Sequence, residues 1–224
     1  MEHRLAASGI LAAWETGVMR RPLDRAMAIL WAAGAHENGD PADLPIAERD
    51  RLLLSIRADA FGPTLPARTA CPDCGTELEM ELDVNSLCEI LPPANAGDGT
   101  LRPLTSRDLA AVCGVSPDKL ASALRARLSV RQVVGAEAEA LDRRIAEEAS
   151  AAELTIRITC SECGAHWSET LDVATHVWAE IEAAALGLLS EVSELAAAFG
   201  WSQRDILSLS PARRMIYLTH ARRV

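Results

Sequence analysis

The chain has 224 residues, 49% of them hydrophobic and 24% charged, with a formal net charge of −10. That excludes general disorder and leaves enough apolar mass for one large domain or two small ones. It also counts against non-specific nucleic-acid binding, because phosphate contacts need Lys and Arg. Aromatics make up only 4%, and the Ala- and Leu-rich remainder favours helices packed on helices.

Residues 5–16 and 23–33 are apolar at helical spacing, with Pro22 where a helix begins and Gly34 where one ends. No apolar run reaches the roughly 20 residues of a membrane helix. Glu2, Trp14 and Glu15 spoil the pattern of a cleaved leader, so the expectation is a cytoplasmic protein with reduced thiols and no membrane insertion. Asp40-Pro41 marks a turn, and residues 46–60 read as an amphipathic helix through Leu52, Leu53, Leu54 and Ile56, closed by Phe61-Gly62-Pro63.

The period then changes. Residues 77–84 alternate, with Leu78, Met80, Leu82 and Val84 on one side of a half-buried strand. Residues 91–100 are turn-rich and read as a loop. Thr105 or Ser106 caps a short helix, Ser116-Pro117 opens another, and residues 135–150 form a charged, Ala-rich helix. Residues 154–159 alternate again. The longest element spans residues 174–199, apolar at steps of three and four, with Gly200 as its stop. Ser202 and Ser210-Pro211 begin two short final helices, in a tail where Arg204, Arg213, Arg214, Arg222 and Arg223 face one acid, Asp205. Such a tail suits a solvated helix face, an acidic partner or the acidic body itself.

The chemistry lies in an internal repeat. Cys71-Pro72-Asp73-Cys74-Gly75 precedes Leu82-Asp83-Val84, and Cys160-Ser161-Glu162-Cys163-Gly164 precedes Leu171-Asp172-Val173, with the same 13-position offset from first Cys to Val. Each copy reads as a metal knuckle followed by a strand. Two residues between cysteines let both sulfurs of one turn reach one ion, and Gly75 and Gly164 supply the left-handed backbone the turn needs. Two facing knuckles complete a four-cysteine site for one structural Zn2+, the zinc-ribbon arrangement, with Cys71, Cys74, Cys160 and Cys163 as ligands. The gap of 85 residues between Cys74 and Cys160 is then a helical insertion that leaves and returns at one place. By analogy with a covalent cross-link, closing so long a loop contributes on the order of 4 kcal/mol.

Redox-active CxxC pairs normally open a helix, whereas strands follow here. Four cysteines leave no open position for a catalytic water. Acidic neighbours (Asp73, Glu77, Glu79, Glu81 and Glu162) weigh against a nucleic-acid-binding or regulatory ribbon, the alternative function, and a thiol oxidoreductase is the third. Cys88 and Cys113 read as buried small hydrophobes and His166 as an exposed strand residue. Asp24, Asp108 and Asp205 read as helix-start acids. Nothing forms a catalytic constellation, so the chain reads as a non-enzyme. Most tryptophans read as core. Trp178 on the long helix reads first as core and second as a partner anchor, and with Ile181, Leu188, Arg213 and Arg214 it makes up the candidate partner-binding residues.

The fold class is α+β, predominantly α-helical, with a small four-cysteine zinc-ribbon β element interrupted by a helical insertion. The organisation expected is a helical segment over 1–65, a ribbon over 66–90 and 153–173, an insertion over 91–152, and a long helix with short helices over 174–224. Several segments together carry a resemblance: Pro22-Leu23-Asp24-Arg25-Ala26; residues 49–54 with Phe61-Gly62-Pro63; both CxxCG turns; residues 102–109; Trp167; Trp178-Ala179-Glu180; and Phe199-Gly200-Trp201-Ser202 with Ile206-Leu207 and Ser210-Pro211. The chain resembles the T4-type phage baseplate protein family, also labelled baseplate hub assembly chaperones, over nearly its whole length. The resemblance implies a role in building the baseplate of a contractile phage tail or phage-tail-like injection system. It also implies tail and baseplate proteins as partners, zinc-ribbon cysteines at positions 71, 74, 160 and 163, incorporation in a particle as one outcome, and no enzymatic activity to carry over.

Overall fold

The structure is a computed structural model that describes residues 5–93 and 99–222. Residues 94–98 of the turn-rich segment 91–100, the acid Glu2 and the last basic residue, Arg223, lie outside those residues. The fold is predominantly helical, with two small antiparallel two-stranded sheets.

Helix α1 (Ala7–Gly17) and helix α2 (Pro22–Ala32) form an antiparallel pair. Pro22 sits in the first turn of α2 with Asp24 beside it, where a missing N–H costs nothing and a carboxylate meets the positive end of the helix dipole. Gly34 follows at φ 78°, a conformation that ends the helix. Asp40 turns the chain by accepting from the Ala42 amide. Helix α3 (Ile46–Phe61) comes next. Its sequence suggests one apolar face, but the structure buries much more of it, including Arg49, Asp50 and Arg57. Those charges are tolerated because each is paired. Arg49 Nε donates to Asp50 at 2.7 Å, and Arg57 holds both oxygens of Glu180 at 2.8 Å while also donating to the Gly62 carbonyl. Burial still pushes the Asp50 carboxyl above its ordinary range, with Arg49 pulling the other way.

Strands β1 (Thr64–Ala70) and β2 (Glu77–Asp83) form the first hairpin, and β3 (Leu154–Thr159) and β4 (His166–Leu171) the second. The sequence pattern does not announce β1. Its Thr64-Leu65-Pro66-Ala67 run has little alternation and contains a proline, which only an edge strand accepts. Val84, expected to close a strand, instead opens helix α4 (Val84–Ile90), because the Asp83 carboxylate caps it by accepting from the Ser86 amide at 2.8 Å. The second copy does the same thing. Asp172 accepts from the Thr175 amide at 3.0 Å and starts helix α8 (Val173–Phe199), which Gly200 ends at φ 68°. The shared Leu-Asp-Val is therefore a strand-to-helix switch.

Helix α8 organises the body. The principal core draws on α1, α2, α3, both hairpins, α4 and α8, with Ile29, Leu30, Leu53, Leu54, Ile56, Leu65, Val177 and Ile181 fully buried. Trp178 enters this core against Gly17, where a Cβ would come within 2.5 Å of the indole, and the Arg25 guanidinium lies 4.9 Å over its ring.

Between the hairpins come helices α5 (Ser106–Val112), α6 (Pro117–Leu128) and α7 (Ala136–Ala151), and a small core of Leu101, Leu128, Leu141 and Ile145 forms on α6 and α7. Asp108 does more than mark a helix start. Fully buried, it accepts from both terminal nitrogens of Arg102 at 2.6 Å, from Arg127 Nε at 2.9 Å, and from the amide and hydroxyl of Thr105. Burial raises its carboxyl, but the Arg102, Thr105 and Arg127 donors outweigh burial and hold it well below the usual carboxylate range. A bridge of Pro45 with Thr105 and an Arg107 clamp on Asp40 and Asp43 fasten the insertion to the body. At the far end, helices α9 (Gln203–Ser208) and α10 (Pro211–Ala221) close a third core of Leu195, Ile206 and Leu218. The basic tail meets the protein's own acids there: Arg214 bonds Glu191 and Arg222 bonds Glu194. No helix among the described residues is long and apolar enough to cross a membrane.

Candidate metal centre

Each knuckle is a tight turn at the tip of its hairpin, and the two turns are built alike. The Cys71 amide donates to the Thr76 carbonyl at 2.9 Å and the Cys160 amide to the Ala165 carbonyl at 2.9 Å. The Gly75 amide returns to Cys71 O at 2.9 Å, and the Gly164 amide to Cys160 O at 3.1 Å. Gly75 has φ 73° and Gly164 φ 74°, the left-handed conformation expected of both. In each knuckle the first cysteine is 2% exposed and the second lies at the surface.

The two turns meet. Cys71 Sγ lies 3.6 Å from Cys163 Sγ, Cys74 Sγ lies 3.6 Å from Cys160 Sγ, and all four sulfurs fall within 4.8 Å of one another. A disulfide would need about 2.05 Å, and all four are free thiols. A tetrahedron with metal–sulfur bonds of about 2.3 Å has sulfur–sulfur edges of about 3.8 Å, close to what is seen. The donor set is all soft sulfur, which suits Zn2+ or another thiophilic ion and not Mg2+ or Ca2+.

The electrostatics favour a cation at the centre. Cys74 is brought down to about 6 by the Thr76 hydroxyl and amide, with Cys163 as a further donor. Cys163 is pushed up to about 12. The Ala165 amide lowers it, but hydrogen bonding to Cys74, burial, and the sulfurs of Cys160 and Cys71 raise it by more. One sulfur of the cluster therefore ionises readily and another, held as the hydrogen-bond donor to its neighbours, resists. A central divalent ion removes that difference, and the thiols lose their protons on binding it.

His166 lies outside the cluster. It is exposed on β4, with Nδ1 2.9 Å from Thr159 Oγ1. Cys113 is not buried as the sequence suggests. It sits at the surface just past α5, 3.7 Å from Arg21 Nη1, while Cys88 packs half-buried against the principal core. Trp178 is core, the reading preferred for it, while Ile181, Leu188 and Arg214 need a larger correction as partner-binding candidates. Trp178, Ile181 and Leu188 are buried in the principal core and Arg214 is 5% exposed against Glu191, so these four side chains face inward; Arg213 alone of the five is exposed. Helical periodicity locates an apolar stripe but not what covers it, and α1, α2 and α3 cover this one. The sequence reading missed the contact between the hairpins, in which Thr69 Oγ1 donates to the Glu169 carboxylate, itself a 3.0 Å acceptor for Trp167 Nε1. Those bonds hold Glu169 below the usual carboxylate range, Thr69 contributing most.

Fold and site thus define a helical α+β protein whose two distant hairpins converge on a four-thiol, metal-competent cluster. Residues 27–95 match the family described as T4 bacteriophage base plate protein, which over that stretch bears out the resemblance to T4-type phage baseplate proteins and supports a baseplate-related structural or assembly role. The matched segment runs from α2 through the first knuckle to just past α4. Neither the curated proteins nor the solved structures searched contain a match to this chain.

Proposed function

We propose that the protein is a non-enzymatic assembly factor or minor structural component of a contractile phage-tail-like baseplate, stabilised by one structural Zn2+ on Cys71, Cys74, Cys160 and Cys163. The observation that carries the reading is the convergence of two knuckles, 85 residues apart, in a chain whose first knuckle lies inside the baseplate-family segment. With four protein ligands the ion has no open position, so its role is to close a long loop and hold two hairpins at a fixed spacing. Tail and baseplate proteins are the partners of this reading, met on exposed surface such as that around Arg213. The acidic outer face of β2, with Glu77, Glu79 and Glu81, weighs against a nucleic-acid-binding ribbon.

The test is deletion of the gene in a strain that makes the particle, followed by electron microscopy. Loss of complete particles, restored by the intact chain but not by a Cys71→Ser/Cys160→Ser double variant, is expected. Normal particle numbers without the protein would contradict the role.

A further inference from the structure

A cleft of about 340 Å³ lies between the two hairpins. His176 of α8 and two kinds of strand residue line it. Met80 and Leu82 of β2, and Ile156 and Ile158 of β3, contribute at every second position, as the face of a strand does. Residues 66–69 of β1 and 169–171 of β4 contribute consecutively, as the edge of a strand does. The outer edges of β1 and β4 therefore border one cleft over an apolar floor, and the Thr69–Glu169 bond crosses from one to the other.

The hydrogen-bond phase fixes which groups point into it. The Cys71 amide bonds Thr76, so alternation along the antiparallel ladder makes Thr69, Ala67 and Leu65 the residues bonded to β2. Thr64, Pro66, Arg68 and Ala70 then point outward. Pro66, with no N–H to lose, falls on the side this phase requires. By the same count from Cys160 and Ala165, His166, Ser168 and Thr170 present their backbone groups outward on β4. Each hairpin is only two-stranded, and among the described residues neither outer edge is paired. Two-stranded sheets are marginal in water and an open edge is a template for another strand.

We propose that this cleft takes up an extended segment of a partner protein as an added strand between β1 and β4. The group that satisfies two facing rows of backbone N–H and C=O is another backbone, and the floor selects apolar side chains at alternate positions. A small apolar ligand would leave both edges unpaired. The metal cluster sits at the hairpin tips and sets the spacing of the two edges. The inference deepens the proposed function, and rests on it only for the partner's identity as a tail or baseplate protein.

The test pans the zinc-loaded full chain against a random dodecapeptide library, a probe that owes nothing to baseplate proteins. Enriched peptides should alternate apolar residues. Their affinity should fall at least tenfold when alternate peptide amides are N-methylated, and again when the metal is stripped. Thr170→Pro, which removes one outward N–H from β4, should weaken binding to a similar extent. Pro66→Ala, which adds an N–H to the opposite edge, should leave it unchanged or tighter. No enrichment, or peptides that bind equally well after N-methylation, would overturn the proposal. So would loss of binding in Pro66→Ala. A particle that assembles without the protein would contradict the baseplate role while leaving the panning result intact, so the two failures are distinguishable.

Discussion

The first hairpin delivers Leu82-Asp83-Val84 into a helix of 7 residues, and the second delivers Leu171-Asp172-Val173 into one of 27. Up to that point the copies are built alike: the same knuckle bonds, the same left-handed glycine, the same aspartate cap, and a first helical valine 2% exposed in both. After it, α4 buries Val84 and Leu87 before the chain reaches Pro92 and Pro93, whereas α8 keeps finding apolar neighbours from Val173 to Leu195. Local turn chemistry needs only a few fixed residues. Helix length is set by how much apolar surface there is to pack on.

The largest effect should come from the ion the two copies share. Cys71→Ser and Cys160→Ser should each remove the bound metal and lower stability by a similar amount, on the order of 4 kcal/mol, read by metal content and denaturant unfolding. A loss confined to one copy would mean that the knuckles do not serve one ion. Acid should act in the same direction. Protons compete with metal for thiolate, so metal is retained at neutral pH and released as pH falls.

A smaller effect tests the likeness of the turns. Gly75→Ala and Gly164→Ala have open space for a Cβ, so the left-handed backbone alone costs stability, roughly 1–2 kcal/mol at each site. Thermal unfolding of the zinc-loaded variants should give nearly equal losses. Clearly unequal ones would break the equivalence.

The smallest effect separates the copies. Asp172→Ala removes the cap of a helix that runs through the principal core and should lower the melting temperature by about 2–4 °C. Asp83→Ala should act mainly within α4, as faster amide exchange there. Bonds from the Ser86 amide and hydroxyl hold the Asp83 carboxyl below its ordinary range. Its contribution is therefore complete above the usual carboxylate pKa and is lost as pH falls through the lower, folded-state value.

The same contrast explains what the sequence discloses. Helices α1–α3 and α5–α10 are legible because their caps and periodicity are local, as are the four ligands, through a repeat with fixed offsets. Strand β1 is not legible, because Pro66 argues against a strand until an outward-facing edge makes room for it. Trp178 reads as core and is core, but the inward placement of Ile181, Leu188 and Arg214 is not legible, since a stripe on a helix does not say whether the chain itself or a partner covers it. Asp108 reads as a helix-start acid because its partners Arg102 and Arg127 become neighbours only once α6 folds back.

The central claim is that four sulfurs from two distant hairpins hold a single metal. X-ray absorption at the zinc edge, on protein purified under reducing conditions with its metal content measured in parallel, tests it most directly. The account predicts one zinc per chain in a shell of four sulfurs at about 2.3 Å. A sample without metal, or a shell containing nitrogen or oxygen ligands, would contradict it.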